Sequence, residues 1–259
     1  MIERPRLEGR PEARSFTVEE LLHLAQKGLI RLPEFQRPLR WRATHVLALF
    51  DSVYRGFPIG EFLFSRGKAD AALLHFGELH VRASEATDAF FVVDGQQRIT
   101  TFAAAMLHPD PRPRGEIHAV WFDLEEEKFY RATRLDPPLH WIPMNVVGDS
   151  FRQLQWLNDW PLRNERPDLV KRAILLGKLM REYQIPAYIV QGASQAGLRI
   201  IFKRINTSGV EMKEHEVFEA LYGTTERQPL ASACARLAQS GFGPIEEAWF
   251  LRCLKAVED

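Results

Sequence analysis

The sequence predicts a mixed α+β fold. Three observations carry that reading: a capped helical pattern near the start, short strand-like runs falling irregularly between further helical patterns, and 259 residues, enough to bury a large core. The strand-like runs are 29–31, 60–65, 90–93, 117–124, 128–132 and 185–190, and helical periodicity occupies 100–107, 168–183 and 214–222. Such an order fits a small mixed sheet with surrounding helices.

Taken in order, the first 15 residues carry Pro5, Pro11 and four arginines and read as a flexible arm, with order expected from Phe16. Thr17 and Glu20 form a T-x-x-E capping box, Phe16 is spaced to staple onto Leu21, and Gly28 follows the last turn, so a helix is predicted over 18–27. A second helix starts near Thr44, with Val46, Leu47, Phe50, Val53 and Tyr54 on one face, and Gly56 stops it ahead of Pro58. Residues 134–167, rich in Trp, Pro and Asn without clean periodicity, read as an insertion covering part of the domain 16–223. Residues 224–259 begin a C-terminal helical element with patterns at 230–239 and 245–257. That last pattern is still apolar at Leu254 and Val257, so a longer native chain is expected.

Composition narrows the function classes. With 34 basic and 34 acidic residues a uniformly basic nucleic-acid coat is excluded, and any DNA contact must be localised. Cys234 and Cys253 are too few for a disulfide framework and lack zinc-site spacing. No apolar run approaches the roughly 18–20 residues that span a membrane, and the polar start MIERPRLEGRPEARS is not signal-like, so a cytoplasmic protein with no membrane partner is expected.

Four stretches draw the chemical argument. In FFVVDGQQRITTF, residues 90–102, a strand-like run ends in Asp94-Gly95 and a helix starts within a few residues. A helix N-terminus leaves backbone N–H groups unpaired at the positive end of its dipole, which makes an anion site. Arg98 would add fixed charge, Gln96 and Gln97 can donate to a phosphate or orient a water, and Asp94 can hold a hydrated metal or a ribose hydroxyl. A glycine turn whose polar residues merely cap the helix is the competing reading. In LPEFQRPLRW, residues 32–41, Gln36 and Arg37 sit on a backbone stiffened by Pro33 and Pro38, although an edge segment with an exposed arginine explains them too. DSVYRGFPIGEFLF, residues 51–64, reads as architecture. In IFKRINTSG, residues 201–209, Arg204 and Asn206 precede another candidate helix start, and capping alone is an equal explanation.

Together, PEFQRPLRW, GFPIGEF, VVDGQQRITTF and FKRINTSG, in that order, resemble the DGQQR-bearing N-terminal domain of GmrSD-type restriction proteins, a branch of the ParB/sulfiredoxin-like superfamily. The resemblance spans about residues 16–223 and departs from the family mildly, at Leu39 and Ser208. It implies a ParB/sulfiredoxin-like core and a role in prokaryotic anti-phage defence. Such a domain binds and hydrolyses a nucleoside triphosphate with Mg²⁺, senses modified DNA directly or through a partner, and regulates a nuclease domain or subunit. Carried onto this chain, the phosphate site would comprise Gly95, Gln96, Thr100, Gln36, Arg37, Arg204 and Asn206, with Asp94, Gln97 and Arg98 catalytic. Hydrolysis would be phosphoryl transfer to water: Arg98 and Arg37 neutralising charge, Gln97 or Gln96 orienting the water, Asp94 positioning Mg²⁺. No G-x-x-x-x-G-K-[ST] stretch is present, so an ordinary P-loop is excluded.

Two rivals stand beside this reading. One is a module that binds a nucleotide or DNA phosphate without hydrolysing it. The other is a nuclease, since Pro109-Asp110 and Glu126-Glu127-Lys128 mimic a PD…ExK pattern, although Asp110 lies between two prolines. His75 and His80 are expected as surface or pairing residues, and direct DNA contact would use Arg4, Arg6, Arg10 and Arg14 of the arm, or Arg112 and Arg114.

Overall fold

The computed structural model describes residues 10–32, 41–111, 117–131 and 137–191. The helical patterns expected at 214–222, 230–239 and 245–257 lie outside the described residues, as do Gln36, Arg37, Arg204 and Asn206. The described chain is α+β, as its order of elements predicts.

Its centre is a five-stranded mixed sheet formed by β1 (Glu12–Thr17), β2 (Ile30–Arg31), β3 (Phe62–Ala69), β6 (Ala86–Asp94) and β10 (Gln184–Val190), ordered β1-β10-β3-β6-β2. β10 runs antiparallel to β1 with Ile185 opposite Phe16, and parallel to β3 with Ala187 opposite Phe62. β6 is antiparallel to β3 and parallel to β2. The expected arm thus yields residues 12–15 to β1. Their side chains are exposed, and it is the backbone ladder to β10, far along the chain, that orders them. A hairpin of β4 (Ala72–Phe76) and β5 (Leu79–Ala83) and an antiparallel sheet of β8 (Lys128–Arg131), β7 (Val120–Asp123) and β9 (Trp141–Pro143) complete the strands.

α1 (Val18–Gln26) begins with the expected capping box: Thr17 Oγ1 accepts the Glu20 N–H at 3.0 Å, and the Thr17 N–H donates to Glu20 Oε2 at 2.9 Å. α2 (Ala43–Tyr54) ends ahead of Gly56. α3 (Gln96–Leu107) is the interior helix: every residue from Ile99 to Met106 is buried, the pattern of a helix enclosed on all sides. It packs against α1 and against α4 (Met144–Val147). Residues 137–159 belong to the core, because β9, α4 and α5 (Ser150–Asp159) bury Ile142, Met144, Val147 and Leu157. α6 (Pro167–Glu182) then leads into β10.

Aromatic rings knit the sheet to itself. Phe16 meets Phe64 and Phe90 edge-on, each at 5.8 Å, and Phe62 stacks on Phe64 at 5.4 Å. Each such pair adds about 0.5–1.5 kcal/mol beyond its burial, so the platform under the β6 to α3 turn is stiff. No helix among the described residues is long and apolar enough to cross a membrane.

Candidate functional site

The DGQQR stretch lies where β6 leaves the sheet. Asp94 is the last residue of β6, and Gly95 is the N-cap of α3 in the left-handed region, at φ 95° and ψ 10°. A Cβ on Gly95 would collide with the Phe62 ring, so both backbone conformation and space select glycine here. The β3–β6 ladder shifts register between Leu63 and Phe64, beside Asp94, which releases the strand end from regular pairing. Gly95 has no side chain with which to cap α3, so the first-turn N–H groups of Gln96, Gln97 and Arg98 lack intrahelical acceptors. The Ile99 N–H closes the first helical bond, to the Gly95 carbonyl at 3.0 Å.

Arg98 turns back from that helical turn to hold the approach to β3. Its Nη1 donates to the Ile59 carbonyl at 2.6 Å, and its Nη2 donates to the Glu61 carbonyl at 2.7 Å and to Asp94 Oδ2 at 3.1 Å. The guanidinium also lies over the Phe62 ring, 5.1 Å from its centroid. Gly60, at φ 86°, lets the backbone come this close, since a Cβ there would strike Nη1. Burial pulls the guanidinium below its ordinary pKa, while Asp94 and Glu61 pull it back up. The bonds use three of the five guanidinium donors, so Arg98 is foremost the clamp that joins GFPIGEF to DGQQR. GFPIGEF, read from sequence as architecture, therefore shapes the site through two backbone carbonyls. The signal for it was Gly60, a glycine that no simple turn required.

The remaining motif residues divide. Gln96 and Gln97 are half-buried on the first turn of α3, and Gln97 Oε1 accepts the Trp41 N–H in a long bond of 3.4 Å. Trp41 ends the LPEFQRPLRW stretch and stacks near His45. Asp94, paired with Arg98, keeps about a third of its side chain exposed. Thr100 is only 2% exposed and belongs to the core, so it leaves the group of open phosphate donors. Thr101 beside it is fully buried, with its hydroxyl lacking a hydrogen-bond partner.

The PD…ExK imitation dissolves into separate turns. Asp110 follows α3, where its N–H donates to His108 Nδ1, whereas Glu126 accepts from the Tyr130 hydroxyl at 2.6 Å within the β7–β8 hairpin. No group of three or more His, Cys, Asp or Glu side chains suited to a metal occurs among the described residues. His75 and His80 face each other across the β4–β5 hairpin, 4.4 Å between ring centroids. Arg14 lies over Phe16 and pairs with Glu20 at 3.2 Å.

A mixed sheet that feeds an enclosed helix through a left-handed glycine, with a glutamine pair on the first turn and an arginine clamp behind it, defines an α+β domain of the DGQQR class. Residues 18–223 match the family described as GmrSD restriction endonuclease, N-terminal domain, and the chain belongs to that family. Its role is therefore that of a domain of a DNA restriction system. A search of curated proteins finds no match.

Proposed function

We propose that this domain binds a nucleoside triphosphate at the N-terminus of α3 and hydrolyses it with Mg²⁺, as the regulatory unit of a modification-dependent restriction system that acts with a nuclease domain or subunit. The observation that carries the reading is the Gly95 cap: lacking a side chain, it leaves the α3 first-turn N–H groups without an N-cap acceptor, with two amide side chains beside them. Gln96 donates to a phosphate oxygen, and Gln97, anchored through its Oε1 to Trp41, has its NH₂ left to position a water. Arg98 acts chiefly by positioning, fixing the turn and keeping a positive charge behind it. Gln36, Arg37, Arg204 and Asn206, which the family resemblance adds to the phosphate-binding residues, lie outside the described residues.

Asp94 suits Mg²⁺ as one partly exposed carboxylate, since that ion is commonly held by one or two carboxylates together with substrate phosphates. When bound, the ion would neutralise charge on the phosphates. Asp94 would hold it while Arg98 keeps that carboxylate oriented.

The test is phosphate release from each NTP with Mg²⁺, with and without modified duplex DNA, by the protein and by Gln96→Ala, Gln97→Ala and Asp94→Asn. Hydrolysis should fall at least about tenfold in Gln97→Ala with nucleotide affinity nearly retained, the signature of a group that acts on the water. Nucleotide binding with no release above these variants under any condition would leave a binding module in place of the hydrolase.

A further inference from the structure

The DGQQR turn has an aromatic neighbour that phosphate chemistry leaves unused. Trp41 gives its backbone N–H to Gln97 Oε1 at 3.4 Å, so its indole springs from the carbon beside the very atom that Gln97 holds. That side chain is half-buried and packs against the core. His45, one turn into α2, lies against it, with ring centroids 6.2 Å apart and planes 24° from parallel. His45 is exposed, yet its ring is oriented, because Nδ1 accepts the Arg42 N–H at 3.1 Å. A neutral imidazole that accepts at Nδ1 carries its proton at Nε2, and that donor has no partner among the described residues. The other ring at the turn, Phe62, is closed to a ligand, being fully buried with the Arg98 guanidinium over it.

We propose that the Trp41–His45 pair is the base subsite of the nucleotide whose phosphates lie at the α3 N-terminus. The base stacks on the rings, and an acceptor on its edge takes the His45 Nε2–H. The assignment rests on the nucleotide reading of the DGQQR turn and adds what that reading lacks, a means of telling a nucleotide from a bare polyphosphate. Helix N–H groups, amide side chains and a magnesium ion recognise phosphate alone, and would hold inorganic tripolyphosphate as well as an NTP. Selecting a nucleoside needs a separate flat surface within a nucleotide's length of the phosphates. The Trp41–His45 pair is tied to the phosphate site by the Gln97 bond. Stacking on it is open to every base, since each has a π-face, and each carries an edge acceptor for the imidazole. Two rings already held against each other lose little freedom when a third is added.

The experiment compares, by calorimetry with Mg²⁺, inorganic tripolyphosphate and the imido analogues of the four NTPs, which resist hydrolysis at the terminal bond. At least one nucleotide should bind about tenfold or more tightly than tripolyphosphate. That preference is a ratio from which any loss of folded protein cancels. It should fall about tenfold in Trp41→Ala, and about threefold in His45→Ala, whose exposed side chain leaves the fold alone. Trp41→Phe keeps a ring and should retain most of the preference. A second readout is independent of affinity: nucleotide, but not tripolyphosphate, should quench tryptophan emission, and the quench should vanish in Trp41→Phe. Equal affinity for nucleotide and tripolyphosphate, or a preference unchanged in both Trp41→Ala and His45→Ala, would overturn the base subsite and leave the phosphate site standing. Binding of neither would overturn the nucleotide reading of the turn and this subsite with it.

Discussion

Two turns in this molecule each gather backbone groups around one charged side chain, with opposite signs. At the DGQQR turn a cation, Arg98, collects the carbonyls of Ile59 and Glu61. In the β7–β8 hairpin an anion, Asp123, collects N–H groups: Oδ1 accepts from Glu125 at 2.8 Å and Glu126 at 2.9 Å, and Oδ2 accepts from the Trp141 indole. The hairpin is closed by this arrangement, because its carboxylate and its donors satisfy each other. The DGQQR turn is not, because a cation satisfies carbonyls while the helix beside it presents N–H groups that no cation can cap. The unmatched sign leaves room for an anion at one turn and none at the other.

The sharpest way to break the first turn is Arg98→Ala. It removes the donor that two carbonyls and Asp94 share, together with the guanidinium packed over Phe62, and should cost about 4 kcal/mol in urea unfolding, with Arg98→Lys recovering less than half because a point charge cannot reproduce the fork. Gly95→Ala leaves the cation in place but forces a side chain into left-handed backbone against Phe62; a loss of about 3 kcal/mol is expected, and lost phosphate release from whatever folds. Asp123→Ala should cost about 2 kcal/mol with nucleotide hydrolysis unchanged, which tests whether the closed turn is purely structural. The smallest effect concerns Tyr54, whose hydroxyl donates at 2.9 Å to Glu127 of the same hairpin. Burial first, and then that carboxylate, push the phenol from the ordinary 10.0 up to about 12. The folded state holds this proton more tightly than the unfolded one, so the contribution is complete below pH ~10 and is lost as pH rises toward 12. Ultraviolet titration should show a late phenol near pH 12 that disappears in Tyr54→Phe, while the raised phenols of Tyr130 and Tyr183 remain.

Much of the fold was legible because its signals are local. The Thr17 to Glu20 box, the Gly56 stop and the apolar runs of β6 and β10 depend on residues within a few positions of each other. Non-local pairing accounts for what was not. Residues 12–15 look like a polar arm until β10 arrives to pair with them, and the β4–β5 hairpin has no counterpart among the sequence expectations. α3 begins at Gln96, ahead of the periodic stretch at 100, because Gln96, Gln97 and Arg98 carry no apolar rhythm and the left-handed Gly95 sets the start. Residues 141–159 form a strand and two helices whose apolar faces are defined by the partners they meet.

At the site the same division holds. Residue types and spacing by themselves determined the glycine turn, the donors at the head of a helix and the family to which they belong, since those follow from backbone chemistry and motif order along the chain. Which donors remain open was decided only in three dimensions. Arg98 reads in sequence as a phosphate fork, yet its guanidinium is committed to carbonyls from a stretch nearly forty residues upstream. Thr100, one helical turn beyond Gln96, rotates into the core. A side chain's hydrogen-bonding capacity is a property of its type, but its availability is what remains after the fold has satisfied the groups around it.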